Sequence, residues 1–181
     1  MKMKLCGTLQ EELSTYLSGN GFNPELASRI LLAIYRKGIC NPENIAGIPG
    51  DLKKKLSADF ATGKYPPVDS RVSTDGTVKY LFRNDAGLSF ETVYLPEEKR
   101  KTVCVSIQSG CRMGCPFCVS GQYGFRGNLT AGDIVNQVIS IPGFDSVTHV
   151  VFMGMGEPMD NLEEVIKACT VFSLKTIPWC P

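Results

Sequence analysis

Residues 102–118 run from an alternating strand straight into three closely spaced cysteines. Val103, Val105 and Ile107 alternate with Thr102, Cys104, Ser106 and Gln108, the period of a strand with one apolar face. The run Ser109-Gly110-Cys111-Arg112-Met113-Gly114-Cys115-Pro116-Phe117-Cys118 follows at the C-terminal end of that strand. Thr130 and Asp133 then form a cap ahead of Ile134, Val135, Val138 and Ile139, a pattern that predicts a helix. A second strand is expected over Thr148–Met153, nearly continuous in apolar residues as buried parallel strands are. It ends in Gly154-Met155-Gly156-Glu157-Pro158. A further helix is expected from about Asn161, with Glu163 and Glu164 in the first turn, where the helix dipole favours acids. Strands alternating with helices imply a parallel sheet or part of an α/β barrel. In such folds the site is built from loops at the C-terminal ends of the strands, where both the cysteine loop and the glycine loop lie.

The cysteine spacing is Cys-x3-Cys-x2-Cys. Three thiolates on one short loop can hold three irons of a cubane 4Fe-4S cluster, whereas an electron-transfer cluster is closed by four cysteines. The fourth iron is then open to a small molecule. The expected molecule is S-adenosylmethionine, a radical source whose amino and carboxylate groups can chelate that iron. Cys111, Cys115 and Cys118 are thus the candidate metal ligands. Gly110 and Gly114 allow the backbone to turn tightly around sulfur, and Phe117 can shield one face of a cluster. Gly156 and Glu157 are the candidate cofactor-binding residues. A glycine lets a ligand approach the backbone, and Glu157 can accept hydrogen bonds from the ammonium group of the methionine moiety; a plain β-turn would explain the same residues. A structural zinc site needs a fourth ligand, and the residues available for it, Cys104, Cys169 and the single His149, lack knuckle spacing. A disulfide framework fits neither the chain length nor three cysteines within eight residues.

The 181 residues suit one ordinary domain or two small ones. A helical accessory domain is expected over residues 1–65, and a β-meander followed by the start of the α/β part over 66–181. In the first, Thr8 and Glu11 form a capping-box pattern before Leu9, Leu13, Tyr16 and Leu17. Asn23-Pro24 opens a second helix carrying Leu26, Ile30, Leu31 and Ile34, which Gly38 stops, and Leu52, Leu56 and Phe60 suggest a third. In the second, Asp75-Gly76 marks a hairpin and Asn84-Asp85-Ala86-Gly87 another turn. Glu91 falls on the same strand face as Val93 and Leu95, where a carboxylate is costly to bury unpaired or else marks a solvent edge. Net charge is +1, so charge alone does not announce a nucleic-acid binder. Lys53-Lys54-Lys55 and Lys99-Arg100-Lys101 are solvated faces or RNA contacts. No window approaches the roughly 18 apolar residues of a membrane span, and no secretory signal is read at the N-terminus. Eight cysteines then suggest a reducing cytoplasm and metal use.

Four segments together carry a resemblance. They are Arg100–Cys111, the run Cys115-Pro116-Phe117-Cys118, the run Gly124-Phe125-Arg126-Gly127-Asn128-Leu129, and Phe152–Asn161 with its Gly-Met-Gly-Glu-Pro core. In order and spacing they resemble the RlmN/Cfr radical S-adenosylmethionine RNA methyltransferases, as do Glu91-Thr92-Val93-Tyr94-Leu95-Pro96 and the helical N-terminal region. The likeness implies a radical-SAM partial (β/α) barrel and methylation of an aromatic carbon of adenosine in 23S rRNA, and in some members in transfer RNA. It implies that one S-adenosylmethionine methylates a distal cysteine and that a second is cleaved to a radical that activates that methyl group. It implies a second cysteine that assists proton removal and resolves the protein–RNA adduct, a role that falls on Cys104, and a glutamate acting as proton acceptor, which falls on Glu91. It further implies an electron donor such as flavodoxin or ferredoxin, a monomer, and a cytoplasmic setting.

The chain departs from the family in its second half. The later barrel strands and the methyl-carrying cysteine have no counterpart, and Lys175-Thr176-Ile177-Pro178-Trp179-Cys180-Pro181 does not resemble the family. The expectation is therefore a C-terminally truncated member with an incomplete barrel. The alternative is a catalytically inactive iron–sulfur or RNA-binding fragment.

Overall fold

The computed structural model describes residues 3–174. At its centre is a mixed, open sheet of five strands in the order β3-β4-β5-β6-β9. These are β3 (Asp69–Val72), β4 (Val78–Arg83), β5 (Ser89–Pro96), β6 (Lys101–Cys104) and β9 (His149–Val151). The first four pair antiparallel in sequence, and β9 lies parallel to β6. The meander expected around Asp75-Gly76 is present: the Asp75 carboxylate accepts from the Thr77 N–H and hydroxyl at 2.9 and 3.0 Å. The meander merges directly into the α/β part, with Val93 opposite Cys104.

Helix α5 (Ala131–Ile139) crosses between β6 and β9 and begins as expected. Thr130 Oγ1 accepts from the Asp133 N–H at 3.1 Å, and the Asp133 carboxylate accepts from the Thr130 N–H at 3.2 Å. Every residue of α5 is buried. One side faces the sheet and the other is covered by the N-terminal region, comprising α1 (Gln10–Gly19), α2 (Leu26–Lys37), α3 (Gly50–Asp59) and the short pair β1 (Met3–Lys4) and β2 (Phe60–Ala61). The two backbones touch at Gly7 and Gly132, where a Cβ on Gly132 would lie 2.5 Å from the Cys6 carbonyl oxygen. The polar residues of α5 bond across these contacts. Asp133 accepts from Tyr65 Oη at 2.8 Å and from Asn84 Nδ2 at 3.1 Å, with Lys4 Nζ at 3.7 Å. Asn136 exchanges two bonds with the Tyr65 backbone. A single apolar cluster accordingly extends from Leu5 to Phe172.

Three local expectations need correction. Helix α1 is capped one residue later than Thr8: Glu12 reaches back to the Leu9 N–H at 2.8 Å, and the Thr8 hydroxyl bonds to the Lys4 carbonyl instead. The strand through Cys104 has no solvated polar face, because Ser106 and Gln108 are fully buried. Regular pairing stops at Cys104 and resumes as a two-residue ladder, β7 (Gln108–Ser109) with β8 (Gly127–Asn128). Lastly, β9 is half-buried along its length, not fully buried. It pairs with β6 on one side and is the last strand of the sheet among the described residues. Helix α6 (Leu162–Phe172) follows, with Glu163 and Glu164 in its first turn and Glu164 accepting from the Ala131 N–H.

Candidate functional site

The cysteine loop leaves the sheet through β7. Gly110 adopts φ +77°, and a Cβ there would fall 1.7 Å from the Gly124 carbonyl oxygen. A left-handed backbone and this close approach together require glycine. Cys111 is buried, while Cys115 and Cys118 are half-buried. The Cys118 N–H donates to the Cys115 carbonyl at 3.1 Å, closing a turn, and Cys118 caps α4 (Val119–Gln122). Backbone N–H groups of Gly121 and Ser120 aimed at Cys118 lower its thiol pKa below the ordinary value. Phe117 is 87 % exposed and packs on no part of the described chain that would bury it.

The glycine loop lies along the segment just before the cysteines. Gly154 N–H donates to the Val105 carbonyl at 3.1 Å, and the Met155 carbonyl accepts from both Ile107 N–H at 2.9 Å and Gln108 N–H at 3.1 Å. A Cβ on Gly156, whose φ is +106°, would sit 2.7 Å from the Gln108 side chain. Gly156 thus has a packing reason of its own: the loop continues the sheet where regular pairing has stopped. The Glu157 N–H donates to Gln108 Oε1 at 3.1 Å. Its carboxylate accepts from the Met159 N–H at 3.1 Å, capping the short 3-10 turn Pro158–Asn161. Glu157 is half-buried.

Cys104 and Glu91 reach the same sheet face. Cys104 stands opposite Val93, and Val93 and Glu91 are two apart on β5. The Glu91 carboxylate pairs with Lys79 Nζ at 3.0 Å and is nearly half exposed, so the expected partner or solvent edge is resolved as both at once. Burial raises the Cys104 thiol pKa, a shift partly opposed by a backbone hydrogen bond from Met153. A cavity of about 270 Å³ opens between this face and the start of the cysteine loop. Its lining includes Glu91, Ser89, Ser109, Gly110, Tyr123 and Arg126. Cys104, Glu157 and the three loop cysteines are not part of that lining.

The donor set fits an iron–sulfur cluster in its chemistry: three soft thiols on one loop, one of them inclined toward the thiolate by backbone N–H groups. Among the described residues no three His, Cys, Asp or Glu side chains converge as ligands of a single ion would. A cluster of several irons spans the gaps between its cysteines and does not need them to converge on one point.

Sequence reasoning missed the residues that join the two loops. Gln108 Nε2 donates to Asp160 Oδ2 and to Asn128 Oδ1, each at 2.8 Å. Arg112, inside the cysteine loop, pairs with the same Asp160 oxygen at 2.7 Å and lies 3.9 Å above the Phe125 ring. The available signal was a glutamine at a strand position one residue before the loop, with Asp160 in the turn that follows the glycine motif. In the run Lys53-Lys54-Lys55 the contacts shown are local. Lys53 donates to the Glu43 carbonyl and Lys55 pairs with Asp59, so two of those three lysines are engaged locally. The segment Lys175–Pro181, with Cys180, lies outside the described residues.

A sequence model of the Radical SAM superfamily matches residues 105–177. The chain is 42 % identical to "Probable dual-specificity RNA methyltransferase RlmN" of Parabacteroides distasonis, over 98 % of this chain and 51 % of that protein. It is 39 % identical to "Dual-specificity RNA methyltransferase RlmN" of Geobacter sulfurreducens, over 89 % of this chain and 45 % of that protein. The crystal structure of a radical SAM methyltransferase from Sphaerobacter thermophilus superposes with a TM-score of 0.87 at 32 % identity, covering 97 % of this chain and 53 % of that one. Among the described residues no helix is long and apolar enough to cross a membrane. The chain spans about half the length of the curated relatives it matches, and over that span it is similar to the RlmN radical SAM RNA methyltransferases.

Proposed function

We propose that the chain is the cluster-bearing half of a radical S-adenosylmethionine methyltransferase that methylates an aromatic carbon of adenosine in 23S rRNA and in transfer RNA. The observation that carries this reading is the adjacency of the cysteine loop and the Gly156-Glu157 turn, which is hydrogen-bonded to the segment leading into that loop. Cys111, Cys115 and Cys118 would hold a 4Fe-4S cluster, and Gly156 and Glu157 the methionine end of S-adenosylmethionine. When bound, the cluster supplies the one-electron reduction that cleaves S-adenosylmethionine.

The remaining roles belong to the chain's own side chains. Cys104 keeps its proton at neutral pH, since burial raises its pKa, and it stands on the sheet face that Glu91 shares. In this reading the Cys104 sulfur, its proton given up to a base, attacks the sulfur of the methyl-carrying cysteine; a disulfide forms as that sulfur's bond to the transferred carbon breaks, and the carbon keeps the electron pair and takes a proton to become the methyl group. Glu91, oriented by Lys79 at the cavity, is the proton acceptor in this reading. Residues 1–65 serve as the accessory domain. The same reading calls for flavodoxin or ferredoxin as donor, for a monomer, and for the cytoplasm.

The test incubates the iron- and sulfide-reconstituted chain with methyl-labelled S-adenosylmethionine, reductant and rRNA, beside the full-length Geobacter relative. Label in RNA adenosine, lost in C115A and C104A, supports the proposal. No label from this chain while the relative is positive refutes catalysis and leaves the inactive iron–sulfur or RNA-binding fragment.

A further inference from the structure

We propose that Asp160 and Gln108 are positioning residues that fix the cysteine loop against the Gly156-Glu157 turn, through Arg112. The proposal rests on the cluster reading above and concerns how its two loops are held together. Gln108 is fully buried, and its amide has three partners: Oε1 accepts from the Glu157 N–H, and Nε2 donates to Asp160 and Asn128. Its orientation is therefore set by the turn on one side and by Asp160 on the other. Asp160 Oδ2 is shared between Gln108 at 2.8 Å and Arg112 Nε at 2.7 Å. Arg112 follows Cys111 directly, and its guanidinium carbon lies 3.9 Å from the centre of the Phe125 ring. The path from the Glu157 N–H to the residue beside the first cysteine thus consists of two hydrogen bonds and one ion pair. The two residues that follow Arg112, Met113 and Gly114, are exposed and make no side-chain hydrogen bond or ion pair among the described residues, so Arg112 is the side-chain anchor of this part of the loop.

Wild type, R112A, D160A, D160N and the R112A/D160A double variant are reconstituted anaerobically with iron and sulfide. The decay of visible absorption is timed after addition of an iron chelator. In parallel, hydrogen exchange at the Glu157 amide is followed in the apo proteins. All variants keep the three cysteines and are expected to load equal iron. R112A and D160A then lose it roughly two- to fivefold faster, the size expected for an ion pair that is partly solvent-screened. D160N is intermediate, and the double variant is no faster than the singles, as members of one linkage are not additive. Exchange at the Glu157 amide rises in R112A although Arg112 does not touch Glu157, an effect that a merely local structural role would not produce. A wild-type chain that takes up no iron refutes the cluster reading, and this proposal falls with it. A loaded wild type with R112A and D160A unchanged in both chelation and exchange overturns the proposal alone.

Discussion

At Ser106 the backbone leaves the ladder, and a side chain takes its place. Gln137 Oε1 accepts from the Ser106 N–H at 2.8 Å and Gln137 Nε2 donates to the Ser106 carbonyl at 2.8 Å. The Ser106 hydroxyl meanwhile bonds the Glu91 carbonyl and accepts from the Met155 N–H. No buried side-chain polar atom among the described residues is left without a partner. The cysteines show the same dependence on surroundings. Cys118 is inclined toward thiolate by the N–H groups of Gly121 and Ser120, Cys104 is pushed up by burial, and Cys40 is pushed up to about 11. Since the thiolate is the reacting form, alkylation of the apo protein at rising pH is expected to modify Cys118 first, Cys104 later and Cys40 last. Peptide mass spectrometry after graded iodoacetamide treatment checks the order, and Cys104 modified ahead of Cys118 would contradict it. The cysteine spacing and the Thr130–Asp133 cap were legible because each is a local pattern. Gln137, Gln108 and Asp160 were not, because their partners lie 31, 49 and 52 residues away along the chain.

Among the elements, α5 bears the most constraint, packed between the sheet, α6 and the N-terminal segments at Cys6-Gly7 and Tyr65, with every residue buried. Its apolar residues were readable as one helical face. That its opposite face is also covered was not, since the partners of Asp133, Asn136 and Gln137, namely Tyr65, Asn84 and Ser106, are distant in sequence. The Gly7–Gly132 contact lets the N-terminal backbone come close. Gly132→Ala is expected to cost about 2 kcal/mol by overpacking and to lower the melting temperature by roughly 4–8 °C for a chain of this size. Gly19→Ala, where a Cβ meets nothing within 4 Å, serves as the control and should leave melting nearly unchanged. Calorimetry on the two variants decides it, and equal melting temperatures would remove the contact from the account. The half-buried β9 was misread for a reason that belongs to this scale. An apolar run shows that a strand can be buried on both sides, but the number of neighbours it has is a property of the sheet.

Across the whole molecule, one sheet brings four separate sequence segments to one end: the meander with Glu91, the strand of Cys104, the cysteine loop and the Gly156-Glu157 turn. Sequence order placed both loops at the C-terminal ends of their strands, and the structure agrees. It adds that the turn is hydrogen-bonded to the backbone between Val105 and Gln108, so the two loops form one unit with the Gln108–Asp160–Arg112 link inside it. The central claim is that this unit holds an iron–sulfur cluster through Cys111, Cys115 and Cys118. Anaerobic reconstitution with iron and sulfide, read by visible absorption and by iron and sulfide content, tests it most directly. The account predicts a broad charge-transfer absorption with matched iron and sulfide, abolished in C115A and kept in C169A. A colourless protein that takes up stoichiometric zinc in place of iron and sulfide would contradict it.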